Sequence, residues 1–210
     1  MRARDLTRGK VIEAGLSLLD REGVEAVSMR AVAKSLRVTP MALYNHVDSK
    51  DDLLRAIASY VLDKAMFDGG ASGWRDQVVY CFSEFRALCL RHPGLSRLLE
   101  GPDIAPTSAF APMEITLRAL GQAGLSDLDS VRTYFTLVSF TLMQATYQSR
   151  GDYVDLEPNA ATQRNRINGF GFKVLEQMEL PRQWDFDRAF EFGIGLILDG
   201  VVSAVQRRRA

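Results

Sequence analysis

Residues 27 to 50 read V-S-M-R-A-V-A-K-S-L-R-V-T-P-M-A-L-Y-N-H-V-D-S-K and contain two short helical patterns separated by a tight turn. Ser28 can cap a helix from Met29 to Leu36. Thr39 can cap a second helix from Pro40 to about Val47, and proline suits the first position of a helix, where no backbone N–H is needed. The apolar side chains fit one buried seam: Val32, Leu36, Val38, Leu43 and Val47.

The second of these helices is expected to turn Met41, Ala42, Asn45 and His46 outward, while Ala33 is small enough for the two helices to approach closely. A short helix held in a helix–turn–helix, with a compact polar surface, has the shape that enters the major groove of DNA. Met41 and Ala42 suit a thymine methyl group, and Asn45 suits the edge of adenine. The stretch therefore predicts a DNA-binding head.

The N-terminal part of the chain, roughly residues 6 to 62, resembles the tetracycline-repressor (TetR) family of transcriptional regulators. The matching segments are V-I-E-A-G-L-S-L-L from residue 11, Gly23, S-M-R-A-V-A-K-S-L-R-V from residue 28, L-Y-N-H from residue 43, and Lys50. Arg37 stands where the family usually has a turn glycine, so we expect positive φ at a residue with a side chain. Gly15 replaces an alanine inside a helix, at a cost of about 1 kcal/mol.

This resemblance implies roles for individual residues of the head. Arg30 and the recognition-helix residues match family positions that meet bases or nearby backbone. Tyr44 and Lys50 match positions that hold phosphates, which fix register without carrying a sequence code. The predicted DNA-binding set is Ser28, Arg30, Thr39, Pro40, Met41, Ala42, Tyr44, Asn45, His46 and Lys50.

Composition and charge fit an ordinary globular chain of 210 residues, 47% hydrophobic and 25% charged, with a formal net charge of zero. Residues 1–50 hold nine Lys or Arg against six Asp or Glu, and the remainder holds 17 against 20. The N-terminal piece is therefore the basic end, as suits a DNA-binding module. No run approaches the ~20 apolar residues of a membrane span, and basic residues interrupt any signal core. We expect a cytoplasmic protein of the bacterial nucleoid, with no membrane partner.

The two cysteines, Cys81 and Cys89, are expected to be free and buried. They lie eight residues apart on one predicted helix, which separates their Cα atoms by ~12 Å along the axis. A disulfide needs Cα atoms within ~7 Å. Free cysteine commonly behaves as a small buried hydrophobe.

Helical periodicity without any strand pattern predicts an all-α protein of about nine to ten helices. We assign residues 1–50 to the three-helix head, 51–68 to a connecting helix capped by Ser49 and reaching about Phe67, and 69–210 to a helical ligand-binding and dimerisation domain. Further helices are predicted over residues 74–91, 95–99, 113–123, 126–149, 161–178 and 186–206, with a proline-rich loop over 101–112 and a polar loop over 151–159.

Aromatic and methionine side chains in the C-terminal domain can be simple core or can line a binding site. The family resemblance implies a small-molecule pocket among the helices over 74–91, 113–123 and 126–149. Such side chains, with a few hydroxyls and amides, suit an apolar or aromatic ligand. The candidate lining is Phe82, Phe85, Met113, Leu117, Tyr134, Val138, Thr141, Met143 and Tyr147. The tetracycline repressor uses histidines near a bound metal, but His92 is the one histidine outside this head, so we predict no metal site and no cofactor.

The helix over 126–149 is apolar on nearly every side at its centre, and the last helix is apolar on two faces with glycines between them. A helix that is apolar all round must be covered all round, which predicts a homodimer with a four-helix interface. Two-fold symmetry would place the recognition helices ~34 Å apart, or a multiple, on an inverted-repeat operator. The candidate interface residues are Leu137, Gln144, Gly193, Leu196, Ile197, Gly200, Val201 and Ala204.

The sequence thus favours a sequence-specific DNA-binding regulator. By the family's default it is a repressor, released from a palindromic operator by an unidentified small apolar or aromatic effector. Two alternatives remain, a DNA-binding dimer with no ligand and a regulator that activates. No G-x-S-x-G, phosphate-loop, dinucleotide or zinc spacing occurs in a suitable context, so we expect no enzyme and predict no catalytic residue.

Overall fold

The computed structural model describes residues 6–99, 106–151 and 185–209. In these ranges the chain is helical and contains no strand, which confirms the all-α class. The predicted helix over 161–178 and most of the loop over 151–159 lie outside the described residues. The helices are α1 (Arg8–Glu22), α2 (Met29–Leu36), α3 (Pro40–Leu43), α4 (Lys50–Leu62), α5 (Trp74–Arg91), α6 (Pro93–Leu99), α7 (Phe110–Ala123), α8 (Asp127–Arg150) and α9 (Phe186–Arg209), with 3₁₀ turns at Val24–Ala26 and Thr107–Ala109.

The predicted capping residues Ser28, Thr39 and Ser49 begin their helices. Helices α1, α2, α3, α4 and α8 each start after a Ser or Thr whose side chain accepts a hydrogen bond from the backbone N–H three residues later. Gly23 and Gly124 end α1 and α7 with φ of 84° and 97°. Arg37 ends α2 in the left-handed conformation, at φ 57° and ψ 42°. The expected positive φ at a non-glycine residue is therefore confirmed.

The second helix of the motif is shorter than predicted. α3 ends at Leu43, and residues 44–46 form a turn rather than continuing the helix to Val47. The Leu43 carbonyl accepts hydrogen bonds from the N–H groups of both His46 and Val47, at 2.8 and 3.0 Å. The bond from His46 spans three residues rather than four, so the chain tightens at the end of the segment.

Other helix boundaries also differ from the prediction. α4 ends at Leu62 rather than near Phe67, because the Ala65 N–H bonds to the Leu62 carbonyl in a tight turn that lets Phe67 be buried in the core. α6 and α7 begin earlier than predicted, at Pro93 and Phe110. Proline is tolerated in the first turn of a helix, so neither Pro93 nor Pro112 marks a loop.

Helix α6 packs against the head. Gly94 lies so close to Leu19 of α1 that an added Cβ would stand 2.6 Å from the Leu19 Cγ and 2.9 Å from its carbonyl oxygen. Nδ1 of His92, at the end of α5, lies 2.9 Å from Oδ2 of Asp20. The buried apolar side chains of head and body form one continuous cluster. The head is therefore held by the body rather than swinging on a linker.

The body is built around α5, which packs against α7 and α8, while α9 lies along α8. Cys81 and Cys89 are free and fully buried within α5, as predicted. Burial raises the pKa of each thiol to about 11.

Helix α9 departs from the expectation that no segment could span a membrane. By length and composition alone, Phe186–Arg208 is apolar and long enough to cross one. The expectation counted uninterrupted apolar runs, whereas the average over the helix tolerates Asp199. Just 28% of its apolar window is buried within the chain, so α9 leaves an apolar face uncovered by the described residues.

The close packing of α6 against α1 can be tested with two glycine substitutions. Gly94→Ala should lower the free energy of unfolding by about 1–3 kcal/mol, because its Cβ would meet the backbone of Leu19 as well as its side chain. Gly121→Ala is the control: nothing lies within 4 Å of its added Cβ, so better helix propensity should raise the stability by about 0.5–1 kcal/mol. Urea unfolding measures both, and equal stabilisation by the two variants would contradict the close packing.

Candidate DNA-binding surface and ligand-binding body

The recognition segment, residues 39–46, presents most of its predicted contact residues to solvent. Met41 is 76% exposed. Thr39, Pro40, Tyr44 and Asn45 are also exposed, whereas Leu43 is fully buried beneath them. The segment is thus anchored by Leu43, and most of its other side chains are open to solvent.

Two further predicted residues flank this segment, and two others lie within it. Arg30 on α2 and Lys50 at the start of α4 are exposed. Ala42 and His46 are half-buried rather than fully outward, because Ala42 packs partly against the core.

Ser28 is half-buried, and its Oγ accepts a hydrogen bond from the Ala31 N–H at 3.1 Å. Its hydroxyl is therefore engaged in capping α2. This leaves its backbone and the exposed side chains around it as the groups best placed for DNA.

Arg8 holds the recognition segment to α1 through a contact that no local sequence signal indicates. Its guanidinium donates a hydrogen bond to the carbonyl of His46 and pairs with Asp52 of α4 at 3.3 Å. Oδ2 of Asp52 also accepts from the Asp48 N–H at 3.0 Å. Partial burial acts to raise the pKa of Asp52, but the hydrogen bonds from Arg8 and Asp48 outweigh it and hold that pKa below its ordinary value.

An aromatic cluster lies between α5 and α8, where the ligand pocket was predicted. The rings of Phe82 and Phe85 stand edge to face with centroids 6.4 Å apart, and Tyr134 lies 6.2 Å from Phe82. All three are buried, and burial raises the pKa of the Tyr134 hydroxyl to about 12. Thr141 is also fully buried.

The other predicted pocket residues divide into two groups. Met113, Leu117 and Val138 are half-buried and pack against the core around the cluster. Met143 and Tyr147 are 49% and 44% exposed. The structure therefore does not bring these last two into the interior with the rings, because they lie on the outer side of α8.

The predicted interface residues also divide. Leu137 and Val201 are buried within the single chain, and Gly193 lies directly beneath the Phe140 ring of α8. Helical spacing placed these residues on one apolar face, but it does not show whether the same chain or a second copy covers that face. Leu196 and Gly200 are exposed, while Gln144, Ile197 and Ala204 are half-buried. Other exposed apolar residues of α8 and α9 were not predicted from the sequence, among them Phe135, Phe192 and Val202.

An exposed recognition segment on a small head, docked against an all-helical body, defines a helix–turn–helix DNA-binding protein. Two family patterns match this chain. Residues 11–57 match the bacterial regulatory proteins of the tetR family, and residues 68–205 match the tetracyclin repressor-like C-terminal domain. The chain belongs to the TetR family of transcriptional regulators and is a DNA-binding regulator of transcription.

Similar proteins include two named transcriptional regulators. The chain is 30% identical over 224 residues to the HTH-type transcriptional repressor DrrR1 of Streptomyces coeruleorubidus, covering 97% of this chain and 80% of DrrR1. It is 35% identical over 126 residues to an HTH-type transcriptional regulator of Saccharopolyspora erythraea, a match that spans 59% of this chain and about half, 53%, of that relative.

Among solved structures, ActR of Streptomyces coelicolor without ligand superimposes with a TM-score of 0.78 at 27% identity, covering 97% of this chain and 98% of ActR. ActR has also been solved in complex with actinorhodin. That structure superimposes with a TM-score of 0.75 at 27% identity, over 95% of this chain and 98% of ActR.

Charge and hydroxyl variants test the predicted phosphate contacts. Lys50→Ala should weaken binding to operator and unrelated duplexes alike and reduce the slope of log affinity against log salt by about 1, because one counterion fewer is released. Tyr44→Phe should weaken binding to both duplexes. It should change the slope of log affinity against log salt very little, since the lost hydroxyl is neutral.

Arg118→Ala is the control for Lys50→Ala, because it removes one exposed positive charge from α7 of the body. Fluorescence anisotropy across a salt series gives the slopes. A Lys50→Ala slope equal to that of Arg118→Ala would show that Lys50 does not contact phosphate.

Proposed function

We propose that this regulator is a homodimeric repressor that binds an inverted-repeat operator and is released by a small aromatic effector. The observation that carries the DNA-binding part is the exposed segment 39–46 over a buried Leu43. The similarity to DrrR1, a named repressor, supports repression. The ActR–actinorhodin complex and the buried rings of Phe82, Phe85 and Tyr134 support an aromatic effector.

Within the head, we assign the base contacts to the exposed side chains of the recognition segment, chiefly Met41 and Asn45, with Arg30 beside them. Tyr44 and Lys50 take phosphates. The half-buried His46 helps to position the recognition segment through its backbone, because its carbonyl accepts the hydrogen bond from Arg8. This division follows the general rule that phosphate contacts position a protein while base edges specify the sequence.

The dimer is supported by apolar residues that no described part of the chain covers. Phe135 and Met143 of α8 are exposed and lie eight residues apart, so they share one side of the helix. On α9, Phe192, Leu196 and Gly200 repeat at intervals of four. Nothing lies within 4 Å of a Cβ added to Gly200, so its cost of ~1 kcal/mol to the helix is explained if a second copy's helix approaches there.

Coupling between effector and DNA follows from how the parts are joined. α5 carries the ring cluster, and α6 follows it at once and is seated on α1 of the head. An effector that prefers a shifted arrangement of α5 and α6 therefore favours a different spacing of the two heads. By linkage, effector and operator weaken each other's binding by the same factor.

The functional division that this proposal uses is 1–50 for the head, 51–68 for the connecting helix, and 69–210 for effector binding and dimerisation. The proposed setting is the bacterial cytoplasm, on the nucleoid, and the protein acts without catalysis. The alternative of a DNA-binding dimer with no ligand is disfavoured by two buried polar atoms of the body. Thr141 Oγ1 and Gln144 Oε1 have no hydrogen-bond partner among the described residues, whereas buried polar atoms are nearly always hydrogen-bonded.

The proposed dimer is tested by placing a charge on its apolar face. Leu196→Glu should yield a monomer at micromolar concentration and abolish high-affinity operator binding, because a carboxylate would be buried without a partner. Phe110→Glu, at a 59% exposed site on α7, should leave both the mass and the affinity unchanged. Light scattering and anisotropy on an operator duplex measure the two effects. A Leu196→Glu protein that stays dimeric, or a monomeric wild type, would refute the proposed interface.

A further inference from the structure

Arg86 of α5 places a buried positive charge inside the body. Its side chain is only 12% exposed, and its guanidinium carbon lies 4.9 Å from the ring centre of Phe190 on α9. Nη2 donates to the side-chain oxygen of Gln148 on α8 and to Oδ1 of Asp187 on α9, at 2.5 and 2.7 Å. A buried cation needs such partners, because removing it from water is costly.

The pairing of Arg86 with Asp187 is unequal. The Asp187 side chain is 75% exposed, so it can return to water at little cost, whereas Arg86 cannot. In addition, Nε of Arg86 is buried and has no acceptor among the described residues. The Nε–Nη2 edge of a guanidinium is the one that takes a carboxylate or sulfonate through two parallel hydrogen bonds. An entering anion could therefore bind both nitrogens and displace Asp187.

Other buried polar atoms of the body also have no partner among the described residues. Thr141 Oγ1 and Gln144 Oε1 are buried without a hydrogen bond among the described residues. With Gln148 they follow one another on α8 at intervals of three and four residues, so they share one side of the helix. From Thr141 to Gln148 the helix rises ~10 Å, the length of two or three fused aromatic rings. Buried polar groups in native proteins are nearly always hydrogen-bonded, so this row points to groups of a ligand.

We propose that the effector is an aromatic anion, with rings near Phe82 and Tyr134, hydroxyl or carbonyl groups beside Thr141 and Gln144, and an acidic group on Nε and Nη2 of Arg86 in place of Asp187. The inference rests on the proposed effector-binding function and adds the charge of the ligand to it. Displacement of Asp187 breaks a contact between α5 and the first turn of α9. The acidic group is thereby coupled to the helix that is proposed to form the dimer interface.

Two fluorescent probes isolate the charge. 8-Anilinonaphthalene-1-sulfonate and N-phenyl-1-naphthylamine share their ring system and differ in the sulfonate. In the full-length dimer, Arg86→Gln should raise the dissociation constant of the anionic probe by about tenfold or more and leave that of the neutral probe within about twofold. Asp187→Asn should lower the dissociation constant of the anionic probe, because the competing carboxylate is gone.

Arg75→Gln is the matched control. Arg75 also joins α5 to α9, through Asp199 at 2.8 Å and the Gly195 carbonyl at 3.2 Å, but it is not beside the unpartnered row on α8. This variant should leave the dissociation constants of both probes unchanged. If Arg86→Gln does not fold, Arg86→Lys replaces it, because lysine keeps the charge but cannot make two parallel bonds, and the same selective loss of the anionic probe is expected.

The outcomes separate this inference from the function beneath it. If the wild type binds the neutral probe and Arg86→Gln weakens both probes equally or neither, the effector site stands but the reading of its charge is wrong. If Arg75→Gln lowers the anionic affinity as much as Arg86→Gln, general electrostatics explains the effect and the inference also fails. If neither probe binds the wild type, the proposed effector site fails, and this inference with it.

Discussion

Four residues of helix cannot hold their own shape in water, because a helical turn is costly to nucleate and needs many more residues to repay that cost. α3 therefore depends on tertiary contacts for its position. Leu43 and Val47 are buried beneath it, and Arg8 binds the carbonyl of His46 while pairing with Asp52. Met41 and Asn45, the chief groups proposed to meet bases, stand on the recognition segment, so DNA reading depends on the packing of α1, α2 and α4 around it.

The same packing reaches the body. Gly94 of α6 rests directly on Leu19 of α1, and His92 and Arg97 add polar contacts to Asp20 and Glu25. A glycine at this contact lets two helices approach more closely than any side chain allows. Movement of α6 is therefore transmitted to α1 and to the segment that α1 holds. No long linker absorbs it within the described part of the chain.

Much of this could be predicted from local sequence signals. The capping residues Ser28, Thr39 and Ser49 located helix starts, since a cap depends on three or four neighbouring residues. The Arg8–Asp52 pair joins residues far apart in sequence, so no periodicity reveals it. Leu137 and Leu196 had the same apolar signal, yet one is buried in the chain and the other exposed. Helical spacing identifies an apolar face but does not say whether the same chain or a second copy covers it.

The central claim is that the packing of α6 on α1, at Gly94 and Leu19, fixes the positions of the two heads in the dimer. It is tested most directly by the distance between spin labels at Lys34→Cys, an exposed position of α2, measured by pulsed dipolar spectroscopy. Cys81 and Cys89 are fully buried and should not take the label. The account predicts one narrow distance distribution in the dimer, which broadens when Gly94→Ala loosens this packing. A distribution unchanged by Gly94→Ala, or no dipolar coupling at all, would contradict it.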